Sequence, residues 1–173
     1  MPLQSWLRPL APFFNLPMSS FSRGEYVQTN LNAQGLNILP LICFEVVFAE
    51  QLSANFHDNT DLMLTVSNDA WFGDSMAPHQ HLEIARMRAL ETGRYLVRST
   101  NTGVSAFIDD KGDIISTSPQ FETHVLTEQV QPMSGMTFYA IFTNLPIVIT
   151  SIGLLCLAFW FRRKYLHVKM TSP

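Results

Sequence analysis

Apolar and polar positions change their spacing several times along the chain. Residues 1–30 are rich in Pro, Ser and Phe without a period, which predicts a loop-like segment. Two short apolar runs follow, Leu36–Cys43 and Asp61–Ser67, each of the length of a buried strand. Pro40 fits the first run only at a sheet edge or a bulge. Glu45–Leu52 between them reads as a short helix. From Pro78 to Gly93 the spacing turns helical, with Leu82, Ala85, Ala89 and Leu90 forming one apolar stripe. Glu83/Arg86 and Arg88/Glu91 can pair on the outside of that helix, and Gly93 is placed to end it. Tyr95–Ser99 predicts a third strand. Val104–Ile108 and Asp113–Thr117 flank Asp109-Asp110-Lys111-Gly112, a hairpin turn, and a last strand is expected near His124–Val130. Strands alternating with helices and then a hairpin indicate a layered α/β or α+β domain.

The spacing disappears in Phe138–Phe161, which is apolar almost throughout and uncharged. A hydrocarbon core of ~30 Å needs about 20 such residues. Asn144 and Pro146 interrupt the first third, so the continuous part is Leu145–Phe161. Tyr139, Trp160 and Tyr165 fit interfacial anchors, and a buried helix of a soluble core rarely runs this long without polar residues. Arg162-Arg163-Lys164 follow at once, which places the C-terminus in the cytoplasm and the domain on the other side. Met1–Phe14, broken by Pro2, Pro9 and Pro12, has no basic start and no continuous apolar stretch to act as an export signal. Topology alone therefore leads to the expectation that transmembrane helices precede this chain in a longer protein.

Composition narrows the function classes. The chain is 47% apolar and 14% charged, which excludes a disordered polymer. All fourteen acids lie at or before Glu128, and residues 1–161 hold only seven bases, so no nucleic-acid-binding surface is expected. Two cysteines are too few for a disulfide scaffold.

Cys43 ends a predicted strand just before a helix, where a thiol can leave the sheet edge as a nucleophile. The other cysteine, Cys156, lies in the span and cannot pair with it. Position alone also fits an inert buried thiol. Glu45 is either a favourable helix N-terminal acid or a group that assists proton transfer. Ser67-Asn68-Asp69-Ala70-Trp71-Phe72-Gly73 is a polar turn followed by two aromatics, suited to walling a pocket or to an ordinary turn with core aromatics. His79 and His81 are two apart and do not share a helix face, so no metal site is expected.

Cys43-Phe44-Glu45, SNDAWFG at Ser67–Gly73, and ARMRALETGR followed by LVRSTNTG together resemble the nitrilase superfamily. More closely, the chain resembles the C-terminal third of the bacterial apolipoprotein N-acyltransferase family, from about Leu3 to the last apolar segment. That resemblance implies a partial nitrilase-like αββα sandwich over residues 1–132, a transmembrane helix over 138–161 and a basic cytoplasmic tail over 162–173. It implies an inner-membrane protein with a periplasmic catalytic domain and no cofactor. Cys43 would carry a fatty acyl group from a phospholipid as a thioester and pass it to the N-terminal amine of a diacylglyceryl lipoprotein. Glu45 would be catalytic, and Phe44, Asn68, Trp71 and Phe72 would bind substrate. Phe44 stands where the family often has tyrosine. The family's triad Glu and Lys lie upstream of the cysteine. No lysine precedes Lys111 here, and Glu25 does not match the family's glutamate motif. The missing partner is thus expected to be the N-terminal portion of the same protein, and this chain alone is expected to be inactive. Two other readings stay open: a membrane-tethered carbon–nitrogen hydrolase with water as acceptor, and a non-catalytic anchored binding module.

Overall fold

The computed structural model describes residues 24–171, with side chains as far as Lys164. Six strands form one sheet in chain order: β1 (Leu31–Ala33), β2 (Leu36–Ile42), β3 (Leu62–Ser67), β4 (Leu96–Thr100), β5 (Ala106–Ile108) and β6 (Ile114–Thr117). β2, β3 and β4 run parallel, and the outer pairs are antiparallel. The link from β2 to β3 is a 3-10 turn, Cys43–Val47, and then α1 (Ala49–Asn55). The link from β3 to β4 is a second 3-10 turn, Asp69–Phe72, and then α2 (Ala77–Thr92). The predicted helix at Glu45–Leu52 is therefore split between a tight turn and a helix that starts later. β1 and β2 join through Gln34 and Gly35, both left-handed (φ 51° and 84°), the geometry a two-residue hairpin turn requires. β1 pairs only with Leu36–Ile38, so Pro40 lies where β2 has β3 as its one neighbour among the described residues. A missing N–H costs no ladder bond on that open side.

Strand register sorts the side chains into two faces. Leu39 and Leu41 of β2, Met63 and Thr65 of β3, Leu96 and Arg98 of β4, and Ala106 and Ile108 of β5 share one face, and all are buried. Leu52 of α1 and Leu82, Ala85 and Ala89 of α2 join the core on this side, while Leu90 turns out to solvent. Gly93 ends α2 in the left-handed conformation (φ 62°). The opposite face holds Ile38, Pro40, Leu64, Val97 and Phe107, all only partly covered, and Ile42 and Val66, both exposed.

No strand forms at His124–Val130: residues 122–137 run without regular structure. Their backbone is held instead by single bonds, Met133 N–H to Asp61 O and Gly135 N–H to Asp58 O, and by Arg94, which donates to Gly135 O. Alternation of apolar residues misled here, because Val125 is left exposed. The apolar stretch beyond is divided. α3 (Phe138–Phe142) stops at Thr143, which has a positive φ, and α4 (Leu145–Thr171) begins two residues later. Leu145–Lys164 is long and apolar enough to cross a membrane, with a mean hydropathy of 1.9 and no part of it buried. The readings for residues 1–23, and for the Tyr165 side chain, lie outside the described residues.

Candidate active site

Parallel strands collect their loops at one edge, and three of them meet here. Cys43 follows β2, Ser67 and Asn68 end β3, and Thr100 and Asn101 end β4. With Ile42, Val66, Trp71 and Ser99 they line a cleft of about 550 Å³. Ile42, Val66 and Ser99 belong to the partly covered face, so the cleft opens on that side of the sheet. Asn68 Oδ1 accepts from Asn101 Nδ2 at 2.7 Å and from Ala70 N–H at 3.1 Å, which ties the ends of β3 and β4 together. Trp71, 89% exposed, lines the cleft.

Cys43 has φ 53°, left-handed and unusual for a residue with a Cβ. The 3-10 turn that begins here leaves Cys43 half-buried at the cleft wall. Glu45 Oε2 accepts from Ile42 N–H at 2.7 Å and so braces the entrance to this turn. Its carboxylate lines a separate small cleft with Tyr26 and Gln28, not the one at Cys43. Phe44 and Phe72 also turn away from the cleft. They pack on each other at 6.4 Å between centroids and on His81 at 5.5 and 6.5 Å. Of the residues expected at the site, Cys43, Asn68 and Trp71 share one cleft, whereas Glu45, Phe44 and Phe72 support it from behind.

The sequence reading missed a charged cluster under the same edge, on the helix-covered face. Asp69, His81 and Arg98 are all buried. Arg98 Nη2 donates to Asp69 Oδ2 at 2.8 Å and lies 3.1 Å from His81 Nδ1, while Arg98 Nε donates to Val104 O. Ser67 Oγ donates to Asp69 Oδ1 at 2.6 Å. His81 Nε2 lies 3.3 Å from the Cys43 carbonyl oxygen. Burial pushes the Arg98 pKa down from its ordinary value, and Asp69 pulls it back. Burial and the Arg98 charge lower that of His81, against a smaller upward pull from Asp69. Two signals pointed to this cluster. Arg98 is a charge inside the apolar strand LVRST, and His81 extends the Leu82/Ala85/Ala89 stripe by one position toward the sheet edge.

Among the described residues, no group of three or more His, Cys, Asp or Glu side chains is arranged to hold a metal ion. A half-buried thiol on a strained turn, facing an open cleft, can attack an acyl carbon if a base takes its proton.

The carbon-nitrogen hydrolase family model matches residues 2–136. The chain is 53% identical over 164 residues to a Vibrio parahaemolyticus apolipoprotein N-acyltransferase, covering 95% of this chain and 32% of that protein. It is 52% identical to the Photobacterium profundum apolipoprotein N-acyltransferase, covering 100% of this chain and 34% of that one. It thus spans about a third of the length of these curated relatives. Among solved structures, a variant of an amidase from Nesterenkonia sp. AN1 superposes with a TM-score of 0.50 at 20% identity, over 76% of this chain and 51% of that one. Saccharomyces cerevisiae Nit3, of the nitrilase superfamily, gives 0.51 at 20% identity, over 60% and 41%. Both likenesses speak for the fold.

Proposed function

Since the chain belongs to the carbon-nitrogen hydrolase family, we propose that Cys43 is the nucleophile of an apolipoprotein N-acyltransferase to which this chain contributes the cysteine-bearing sheet and a membrane helix. The observation that carries this reading is the left-handed Cys43 at the wall of a cleft beside an exposed tryptophan, in a domain followed in the same chain by an unburied apolar helix.

In the first step the Cys43 sulfur attacks the ester carbonyl of a phospholipid. A carbon–sulfur bond forms, the carbon–oxygen bond to glycerol breaks, and the lysophospholipid leaves with the proton from the thiol. In the second step the N-terminal amine of a diacylglyceryl lipoprotein attacks the thioester. A carbon–nitrogen bond forms, the carbon–sulfur bond breaks, and the amine's proton returns to sulfur. No electrons change hands. Trp71 lies where it can hold an acyl chain, and Asn68 where it can hold the ester's polar end. Phe44 and Phe72 act on the substrate indirectly, by shaping the wall, and Glu45 by bracing the turn.

The cleft opens on the partly covered face of the sheet. A second layer of a nitrilase-like sandwich laid over Ile38, Leu64, Val66 and Val97 would both bury them and bring further catalytic groups to Cys43. An acid and a lysine are the groups the reading requires there, to take the thiol proton and to hold the oxyanion. The bilayer supplies both lipid substrates, and Arg162, Arg163 and Lys164 on the cytoplasmic side leave the domain in the periplasm.

The test is a chimera in which this chain replaces the matching third of the Vibrio parahaemolyticus relative, produced in cells depleted of their own N-acyltransferase. N-acylated lipoprotein is expected with the chimera and not with its Cys43→Ala variant. A membrane-inserted chimera that makes none, or a Cys43→Ala variant that makes as much, would refute the reading. Free fatty acid released without lipoprotein acylation would favour a hydrolase.

A further inference from the structure

We propose that His81 is a positioning residue for Cys43: its Nε2–H holds the Cys43 carbonyl and fixes the left-handed turn that presents the thiol. The inference rests on the reading of Cys43 as the nucleophile. His81 does not line the cleft; it lies beneath the sheet edge and reaches the cysteine through the backbone.

The Cys43 carbonyl decides what Nε2 must carry. A backbone carbonyl can only accept, so the Nε2 that lies 3.3 Å from Cys43 O must carry a hydrogen. On the other side of the ring, Nδ1 lies 3.1 Å from Arg98 Nη2, which can only donate, and 3.3 Å from Asp69 Oδ1, which can only accept. With a hydrogen on Nε2 alone the ring serves the Cys43 carbonyl and Arg98, while the two Asp69 oxygens take their hydrogens from Ser67 and Arg98. Phe44 stacks on the face of the ring, Phe72 meets it edge-on, and 4% of the residue is exposed, so packing holds the ring in this plane. Arg98 is itself fixed by Asp69 and by the Val104 carbonyl. The chain of contacts therefore runs from Asp69 through Arg98 and His81 to the Cys43 carbonyl.

Such a hold is needed at this residue. A side chain at φ 53° is strained, and the surroundings must over-determine the conformation for it to persist. The turn is gripped at two backbone groups: Glu45 takes the Ile42 N–H, and His81 gives a hydrogen bond to the Cys43 carbonyl. If the second grip is lost, the peptide after Cys43 is free to rotate and carries the thiol away from its line of attack.

A ring that merely fills the core makes a different prediction, and amide substitutions separate the two. The Gln side chain is long enough to bring an N–H to the Nε2 position, whereas Asn reaches only the Nδ1 position. In the membrane-inserted chimera, two quantities are measured: the rate of iodoacetamide alkylation of Cys43, followed by peptide mass mapping, and kcat and KM for phospholipid. His81→Phe and His81→Asn are expected to slow alkylation and lower kcat by about tenfold to a hundredfold, with KM little changed. His81→Gln should recover most of both. Equal rates for His81→Gln and His81→Asn would overturn the proposal, as would a His81→Phe variant that keeps the parent's alkylation rate and kcat. A Cys43→Ala variant that still transfers acyl groups would instead sink the nucleophile assignment, which the alkylation series does not test.

Discussion

Arg98 Nη2 lies 2.8 Å from Asp69 Oδ2 with both side chains sealed from solvent. Removing one member of such a pair strands the other's charge, which costs about 3–5 kcal/mol. Asp69→Ala and Arg98→Leu are each expected to lower stability by that much in denaturant or thermal melts of the solubilised protein. The double variant should lose clearly less than the sum, because no charge is then left unpaired. Arg98→Lys should not rescue, since an ammonium cannot serve Asp69, His81 and the Val104 carbonyl together.

Gly103 tests the same cluster from another side. A Cβ there would collide with the Asp69 carboxylate, with the Asp69 Cβ and Cγ also within 2.9 Å. Asp69 cannot swing aside, because Ser67 and Arg98 hold its two oxygens. Gly103→Ala is expected to cost about 1–3 kcal/mol, the range for overpacking, and should be read in the same melts.

His81 sets a pH dependence. Its folded pKa is depressed from 6.5 by burial and by Arg98, outweighing Asp69. As pH falls past 6.5 the unfolded chain takes up a proton that the folded protein still refuses. Stability from neutral His81 is therefore complete above pH 6.5 and is lost progressively as pH falls toward the folded value. Asp69 after β3, Arg98 on β4 and Cys43 after β2 are the titratable or charged groups that meet the ring. Melting temperature is expected to decline between pH 7 and pH 5, and His81→Gln should flatten the decline.

The strained turn predicts opposite effects on stability and activity. Glycine adopts φ 53° without penalty, whereas alanine keeps the strain of the native cysteine. Cys43→Gly is expected to be more stable than Cys43→Ala by up to about 1 kcal/mol in denaturant melts, while both lack acyl transfer. If the alanine variant proved the more stable, the turn would not be under strain.

Much of the sheet was legible because a parallel strand buried on one face and half-covered on the other reads as an apolar run. Leu36–Cys43 and Asp61–Ser67 show this, and the Leu82/Ala85/Ala89 stripe shows the helical counterpart. β1 was hidden because Gln34 takes a left-handed turn position that sequence usually marks with Asn or Gly. His124–Val130 shows the opposite error, a strand-like pattern that pairs with no strand among the described residues. The Cys43 elbow and the Asn68–Trp71 turn could be read from their place at strand ends. The Asp69–His81–Arg98 cluster was signalled only by a charge within LVRST and a histidine on the apolar stripe, since its members lie far apart in the chain and meet only when β3, α2 and β4 pack.

The most direct test of the account is mass spectrometry of the Cys43 peptide, taken from the chimera after exposure to phospholipid with no lipoprotein present. A fatty acyl thioester on Cys43 that disappears when an acceptor amine is added, in step with formation of the N-acyl product, is the predicted result. N-acyl product accumulating while the Cys43 peptide stays unmodified at every time point would contradict it.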